Sequence, residues 1–278
     1  MNILYSIDHN CLNLLFTSIY SLLENGGYQN YTIYIFHSDL SDENMRIIAD
    51  FFNEVEMHFI EIPKDMFSDF PTIKRYPEQI YYRLAAPLLL PNEIERVLYL
   101  DVDTIVINSL KDLYEIDFES NLFVACTNTK NLLTKFNQFR LGIPITKSVP
   151  YVNTGVLLMN LKQLRKEYKF QDIYEYMKCK KEFLVLPDQD ILTGLYGEKV
   201  KIIDSLKYNL SDRTIVLHNI RTPQQIIDIN WVNENTVIIH YFGSNKPWRE
   251  NYNGILGEFY FDVVKKLQNK IKLCKSLM

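Results

Sequence analysis

The chain has no Gly-x-Gly-x-x-Gly behind its first strand-like run and no Walker-type lysine loop, so no glycine cradle is available to hold phosphate. It has no Cys-x-x-Cys either. Its four cysteines, Cys11, Cys126, Cys179 and Cys274, lie far apart, which argues against structural zinc and a disulfide framework and for a reducing compartment. No stretch reaches the length of a membrane-spanning helix. The opening Met1–Asp8 meets an acid too early for a signal peptide, and the expectation is a cytoplasmic protein. Internal repeats and low-complexity tracts are absent. A strong charge imbalance is missing as well: 30 basic against 34 acidic residues leave a net charge of −4, so no nucleic-acid partner is expected.

What is present is a globular composition, 47% hydrophobic and 23% charged, on 278 residues, enough to bury a substantial core. The 19 tyrosines and 16 phenylalanines are scattered among apolar positions, as core and pocket lining rather than a base-stacking platform. Residues 2–7 read as a buried strand, followed by a helical pattern over 13–23 and a stop at Gly26-Gly27. Residues 31–37 and 57–62 read as further strands, with a helix capped by Ser41 between them. This alternation predicts a Rossmann-like α/β sheet. Helices are expected over 77–90, 160–182 and 188–196, strands at 123–126, 151–161 and 237–240, and a final helix from about Gly254. Residues 128–150 and 205–235 read as loops.

The sharpest feature is the run Val97–Ile107, whose apolar flanks read as a buried strand ending at Asp101 and delivering Asp101 and Asp103. Carboxylates at a strand end need a cation or donors, and ligands bind outside the carboxyl ends of strands in open α/β sheets. Spacing alone says little, because seventeen aspartates give about one Asp-x-Asp pair by chance, and a second pair stands at Asp188 and Asp190. His240 also ends an apolar run. Two carboxylates and an imidazole suit a six-coordinate borderline cation such as Mn²⁺ better than Ca²⁺. Gly243 permits close backbone approach and Lys246 can place a point charge on phosphate. Asp8, after the first strand, is either a ligand-facing group or a helix cap. Asp188 and Gln189 open a helix behind Pro187, either as simple capping or to recognise a hydroxyl-rich substrate. Arg83, taken alone, reads as a surface cation.

Six segments together, Ser6–Asn10, Tyr82–Leu84, Tyr99–Asp112, Tyr151–Leu161, Leu186–Leu192 and His240–Trp248, resemble glycosyltransferase family 8 in the family's order along nearly the whole chain. The resemblance implies a GT-A fold: a Rossmann-like mixed sheet flanked by helices, in one catalytic domain over 1–253 with a C-terminal helical tail over 254–278. It implies a UDP-glucose or UDP-galactose donor, Mn²⁺ (Mg²⁺ also serving) and a saccharide or lipid-linked saccharide acceptor, as in lipopolysaccharide biosynthesis. By that likeness Asp101, Asp103 and His240 are the metal ligands. Ser6, Asp8, Asn10 and the backbone at Val102 meet the nucleoside; Arg83, Asn153, Thr154, Asp188 and Gln189 surround the sugar; Gly243 and Lys246 meet the diphosphate. Cys11, Thr154 and Ser244 depart from the family pattern, where an aromatic, a smaller residue and a proline are frequent.

The family likeness further implies retention of configuration. Retaining glycosidases use a carboxylate nucleophile, whereas an amide is a poor one. The expectation is therefore same-face attack, with Gln189 stabilising the cationic sugar and Asp188 beside it. From Val263 to Met278 five lysines and no acid interleave with apolar residues, so the tail is either a docking helix or a basic amphipathic contact with the inner face of a membrane. Two other functions start from the same residues. A haloacid-dehalogenase-like phosphatase would use Asp101 as nucleophile, and a non-catalytic protein would only bind the sugar nucleotide.

Overall fold

The computed structural model describes residues 1–72, 77–127 and 132–277. The chain runs through β1 (Asn2–Ile7), α1 (Leu12–Asn25), β2 (Thr32–His37), α2 (Asp42–Phe51) and β3 (Glu56–Glu61). After a 3-10 segment over Glu78–Ala85 come α3 (Ala86–Leu89), β4 (Arg96–Leu100), β5 (Thr104–Val106), α4 (Lys111–Tyr114) and β6 (Phe123–Cys126). Next follow α5 (Leu132–Leu141), β7 (Asn153–Asn160), α6 (Leu161–Glu167), α7 (Phe170–Lys180) and α8 (Pro187–Tyr196). The last elements are β8 (Val200–Ile203), α9 (Ser205–Tyr208), α10 (Asp212–Arg221), α11 (Ile229–Asn235), β9 (Ile238–His240) and α12 (Gly257–Leu277).

By packing, these elements divide into two compact units. The first comprises Met1–Asn10, Asn30–Leu100 and Ile116–Ile203; the second comprises Cys11–Gln29, Asp101–Glu115 and everything from Asp204 onward.

The first unit holds a seven-stranded sheet in the order β3-β2-β1-β4-β7-β6-β8. The β1, β2, β3 and β4 strands are mutually parallel, as are β6 and β8, while β7 runs antiparallel to both of its neighbours. Strands buried on both faces read as near-continuous apolar runs, and β1 and β7 show this: the first seven residues of β7 are all buried. Leu4, Phe36, Tyr99 and Leu157 pack with Ile173, Met177, Ile191 and Leu192 of α7 and α8. Helix α2 begins as its sequence demands, with a reciprocal capping box between Ser41 and Asn44 and acids Asp42 and Glu43 in its first turn.

The second unit holds the two-stranded β5–β9 ladder and the helices α1, α4 and α9–α12. Helix α12 packs on α1 through Tyr260, Val263 and Leu267, which are buried, while Lys265, Lys266 and Lys272 stand in solvent. That is the docking arrangement for this stretch; Lys275 and Leu277 lie outside the described side chains. Asp212 pins the approach to α12, accepting from Tyr252 Oη at 2.6 Å and from the Leu256 amide at 3.1 Å. Among the described residues no helix is long and apolar enough to cross a membrane.

The strand expected to end at Asp101 is β4, which ends at Leu100; the Thr104 amide and hydroxyl both return to the Asp101 carbonyl, at 3.1 and 2.7 Å, turning the chain before β5. Other expectations shift. The expected helix over 77–90 is a 3-10 segment followed by one turn of α3. The 160–182 helix breaks at Tyr168 and Lys169, whose backbones are extended. Residues 132–141 of the expected 128–150 loop form α5, while 128–131 lie outside the described residues. The expected 205–235 loop contains three short helices, each capped by its own side chain: Asp204 to Leu206, Ser211 to Thr214 and Asp228 to Trp231.

Candidate functional site

In the second unit, the turn after β4 and the end of β9 bring Asp101, Asp103 and His240 together. Antiparallel pairing sets Thr104 opposite His240, and the Tyr241 amide donates to the Asp103 carbonyl at 2.9 Å. One ligand atom from each of the three side chains lies within 4.8 Å of the others. His240 Nε2 stands 3.0 Å from Asp103 Oδ1 and 3.6 Å from Asp101 Oδ2.

The ring orientation is fixed from behind. His240 Nδ1 donates to Asn209 Oδ1 at 2.7 Å, and both residues are buried. With Nδ1–H given to Asn209, the Nε2 lone pair faces the aspartates, the tautomer a metal-binding histidine needs. Asp103 Oδ1 is buried and receives no hydrogen bond. Two lone pairs 3.0 Å apart repel unless a proton or a metal cation lies between them. The donor set, two carboxylates and an imidazole with an orphaned carboxylate oxygen, fits a divalent cation.

Lys246 Nζ donates to the other oxygen, Asp103 Oδ2. Burial pushes the Asp103 carboxyl up, but a proton on His240 Nε2, where it stands in for a cation, and the Lys246 ammonium outweigh it and hold this group well below the ordinary carboxylate range. Between His240 and Lys246, Gly243 adopts φ +88°, a left-handed conformation that favours glycine, with open space where a Cβ would stand. Its requirement is therefore conformational rather than one of crowding.

In the first unit, the 3-10 segment, the start of β7 and the first turn of α8 converge. Arg83 is buried, against the surface position its sequence context suggests. Its Nε donates to the Ile80 carbonyl at 2.9 Å and its Nη1 to the Thr154 carbonyl at 2.7 Å. The guanidinium lies over the Tyr99 ring at 4.2 Å and reaches Asp188 Oδ2 at 3.4 Å. Thr154 Oγ1 donates to the same Asp188 oxygen at 2.6 Å. Asn153 Nδ2 donates to Gln189 Oε1 at 3.4 Å, and Asn153 Oδ1 accepts from the Gly155 amide at 3.1 Å. The five residues that the family likeness sets around the sugar thus fall into two adjacent hydrogen-bonded sets, Arg83–Thr154–Asp188 and Asn153–Gln189. A buried carboxylate needs a charged or hydrogen-bonded partner, and Asp188 has both.

Asp190 differs from its neighbours. It is fully buried and its carboxylate turns to Arg140 and Tyr151, so the second Asp-x-Asp pair has one member at the sugar group and one in the core. Ser6, Asp8 and Asn10 form a separate group at the end of β1. Asp8 Oδ1 accepts from the Asn10 amide at 3.0 Å, so it caps the local turn, and the Ser6 hydroxyl is buried without a hydrogen-bond partner. Val102 is partly buried in the Asp101–Thr104 turn. Sequence reasoning missed Asn209, Arg140 and Tyr151, whose roles show only once distant segments meet.

The sequence model described as glycosyl transferase family 8 matches residues 2–252. A putative glycosyltransferase of Haemophilus influenzae is 30% identical over 254 residues, spanning 90% of this chain and 73% of that protein. A lipopolysaccharide 1,2-glucosyltransferase of Escherichia coli is 25% identical, spanning 94% of this chain and 77% of its own length. The solved structure of the galactosyltransferase LgtC in complex with donor and acceptor sugar analogues superimposes with a TM-score of 0.80. At 24% identity over 96% of both chains, that likeness shows the fold.

Proposed function

The chain belongs to glycosyltransferase family 8, and on that premise we propose that it moves glucose or galactose from a UDP-sugar to a saccharide acceptor, retaining anomeric configuration and using Mn²⁺. The observation that carries this reading is the Asp101–Asp103–His240 cluster with its orphaned carboxylate oxygen and adjoining lysine. The phosphatase reading of Asp101 gives way to the family match.

In this reading Asp101, Asp103 and His240 would hold the cation, which when bound would supply Lewis acidity at the departing diphosphate. Lys246 adds a fixed positive charge for the same group. Ser6, Asp8, Asn10 and the Val102 backbone meet the nucleoside. Asp188, paired with Arg83 and oriented by Thr154, accepts from donor-sugar hydroxyls. The Gln189 carboxamide, oriented by Asn153, turns its oxygen dipole to the developing oxocarbenium ion. An amide oxygen is a weak nucleophile and the Asp188 carboxylate is already engaged, so the acceptor hydroxyl attacks on the face the leaving group vacates: the bond from the anomeric carbon to the diphosphate oxygen breaks, the bond to the acceptor oxygen forms, and the hydroxyl proton passes to the departing diphosphate oxygen. A trapped covalent sugar on Asp188 or Gln189 would overturn that step.

The Escherichia coli relative is named for lipopolysaccharide, which supports a lipid-linked saccharide as acceptor. Exposed Lys265, Lys266 and Lys272 support a peripheral contact with an anionic membrane. With the helix's apolar face on α1, that contact is electrostatic, and its cosedimentation with anionic vesicles should weaken with salt.

The deciding experiment measures UDP release across a panel of UDP-sugars, with and without Mn²⁺. Release is expected from UDP-glucose or UDP-galactose only with the metal. Asp103→Asn and His240→Ala should each abolish it with unchanged circular dichroism; normal rates in either sink the metal assignment. Tight donor binding with no UDP release under any condition would favour the non-catalytic reading.

A further inference from the structure

Asp190 is fully buried, and its carboxylate accepts from every side. Arg140 of α5 donates bidentately, Nη1 to Oδ2 at 2.7 Å and Nη2 to Oδ1 at 2.6 Å. Tyr151 Oη donates at 2.8 Å, and the backbone amides of Val185 and Leu186 at 2.6 and 3.1 Å. Arg140 Nη1 also reaches the Phe183 carbonyl. One carboxylate therefore gathers α5, the segment leading into β7, and the segment leading into α8.

The positions of these anchors matter. Tyr151 lies two residues before Asn153 and three before Thr154, and Asp190 follows Gln189 directly. A second tie runs the same way, with the Val152 amide donating to Thr193 Oγ1 at 3.2 Å. The two segments so clamped are the ones whose side chains meet in the Thr154–Asp188 and Asn153–Gln189 hydrogen bonds. Burial and the adjacent Asp190 carboxylate raise the Tyr151 phenol far above its ordinary value, so it stays a donor throughout the working range.

The geometry points to Arg140 and Tyr151 as positioning residues of the transfer reaction. Acting through Asp190, they set the register between the start of β7 and the start of α8, and so the aim of Asp188 and Gln189 at the donor sugar. This inference rests on the function proposed above. Neither residue is assigned to substrate; their effect is on placement, and displacing a reacting group by about 1 Å costs on the order of 100-fold in rate. A bidentate guanidinium–carboxylate pair fixes direction as well as distance, which an ammonium does not.

The test compares wild type, Arg140→Lys, Tyr151→Phe and Arg140→Met as full chains with Mn²⁺ and the UDP-sugar that wild type turns over faster. Donor kcat and KM are read at a temperature where circular dichroism shows each variant folded, with UDP affinity by calorimetry. Arg140→Lys and Tyr151→Phe are expected to lower kcat by about tenfold to 100-fold, with KM and UDP affinity within about threefold of wild type. Lys147→Met, which removes only the exposed ion pair with Glu198, should change none of these. If Arg140→Met fails to fold, Tyr151→Phe still decides, since it deletes one hydroxyl. Unchanged kcat in folded Arg140→Lys and Tyr151→Phe, or a loss confined to KM, overturns the inference alone. Absence of UDP release from wild type as well removes the proposed function, and this inference with it.

Discussion

Replacing Asn209 by leucine tests the metal cluster from behind, without touching a proposed ligand. Asn209 Oδ1 accepts from His240 Nδ1 at 2.7 Å, and both side chains are buried. Removing the acceptor leaves the imidazole free to change tautomer or rotate. Loss of such an outer partner costs about 10- to 100-fold in metal affinity, or about 1.4–2.8 kcal/mol at 1.4 kcal/mol per decade. The abandoned N–H adds about 1–3 kcal/mol of lost stability. Asn209→Asp keeps the acceptor and adds negative charge, so it should bind Mn²⁺ at least as tightly as wild type. Calorimetric titration with Mn²⁺ reads affinity directly, and thermal unfolding with and without Mn²⁺ reads it independently. At Mn²⁺ 100 times the wild-type Kd, wild type should gain about 2.7 kcal/mol and a tenfold weaker variant about 1.4 kcal/mol. An Asn209→Leu chain that titrates like wild type refutes the reasoning, and with it the claim that Nε2 is the ligating nitrogen.

Three further outcomes follow from packing and burial. Leu267→Ala on α12 should destabilise the protein by about 2–5 kcal/mol in urea unfolding, because this side chain is buried; a change near zero would mean that α12 is undocked. Gly194→Ala in α8 sets an overpacking cost of about 1–3 kcal/mol, from overlap of the new Cβ with the Tyr176 phenol, against a helix-propensity gain of about 0.5–1 kcal/mol, so a net loss of stability is expected. Wild-type stability in that variant would contradict the close approach. Burial pushes the phenols of Tyr82, Tyr176 and Tyr196 up to about 12. Their folded values exceed the unfolded value of about 10, so their contribution is complete below pH 10 and lost progressively as pH rises from 10 to 12. The guanidinium midpoint should fall across that window; phenolate absorbance completing near pH 10 in the still-folded protein would contradict it.

The parts legible in the sequence were those whose signal is local. The β1 run, the Ser41 capping box and the Pro187 helix start announce themselves within a few residues. The Asp101–Asp103–His240 cluster is legible because Asp101 and His240 each end an apolar run, so both strand ends can be read before their meeting is seen. Arg83 was misread because its burial depends on Asp188 and Thr154, far along the chain, and no local pattern marks a buried arginine. Asn209 and Tyr151 were missed for the same reason. The α9, α10 and α11 helices are a different case: Asp204, Ser211 and Asp228 are ordinary capping residues, but α9 and α11 span only four and seven residues and α10 buries only Ile215, so none shows an apolar periodicity. In α5, Leu133, Phe136 and Phe139 all face solvent, so the apolar pattern that betrays a helix on a core is absent there.

The backbone passes between the two compact units five times, at residues 10/11, 29/30, 100/101, 115/116 and 203/204. Neither unit is a continuous stretch of the gene. A crossover between two related genes at any one point therefore always yields a hybrid in which at least one unit is stitched from both parents. Exchanging a whole unit between relatives takes several simultaneous junctions, so recombination by single breaks does not move either unit as a module.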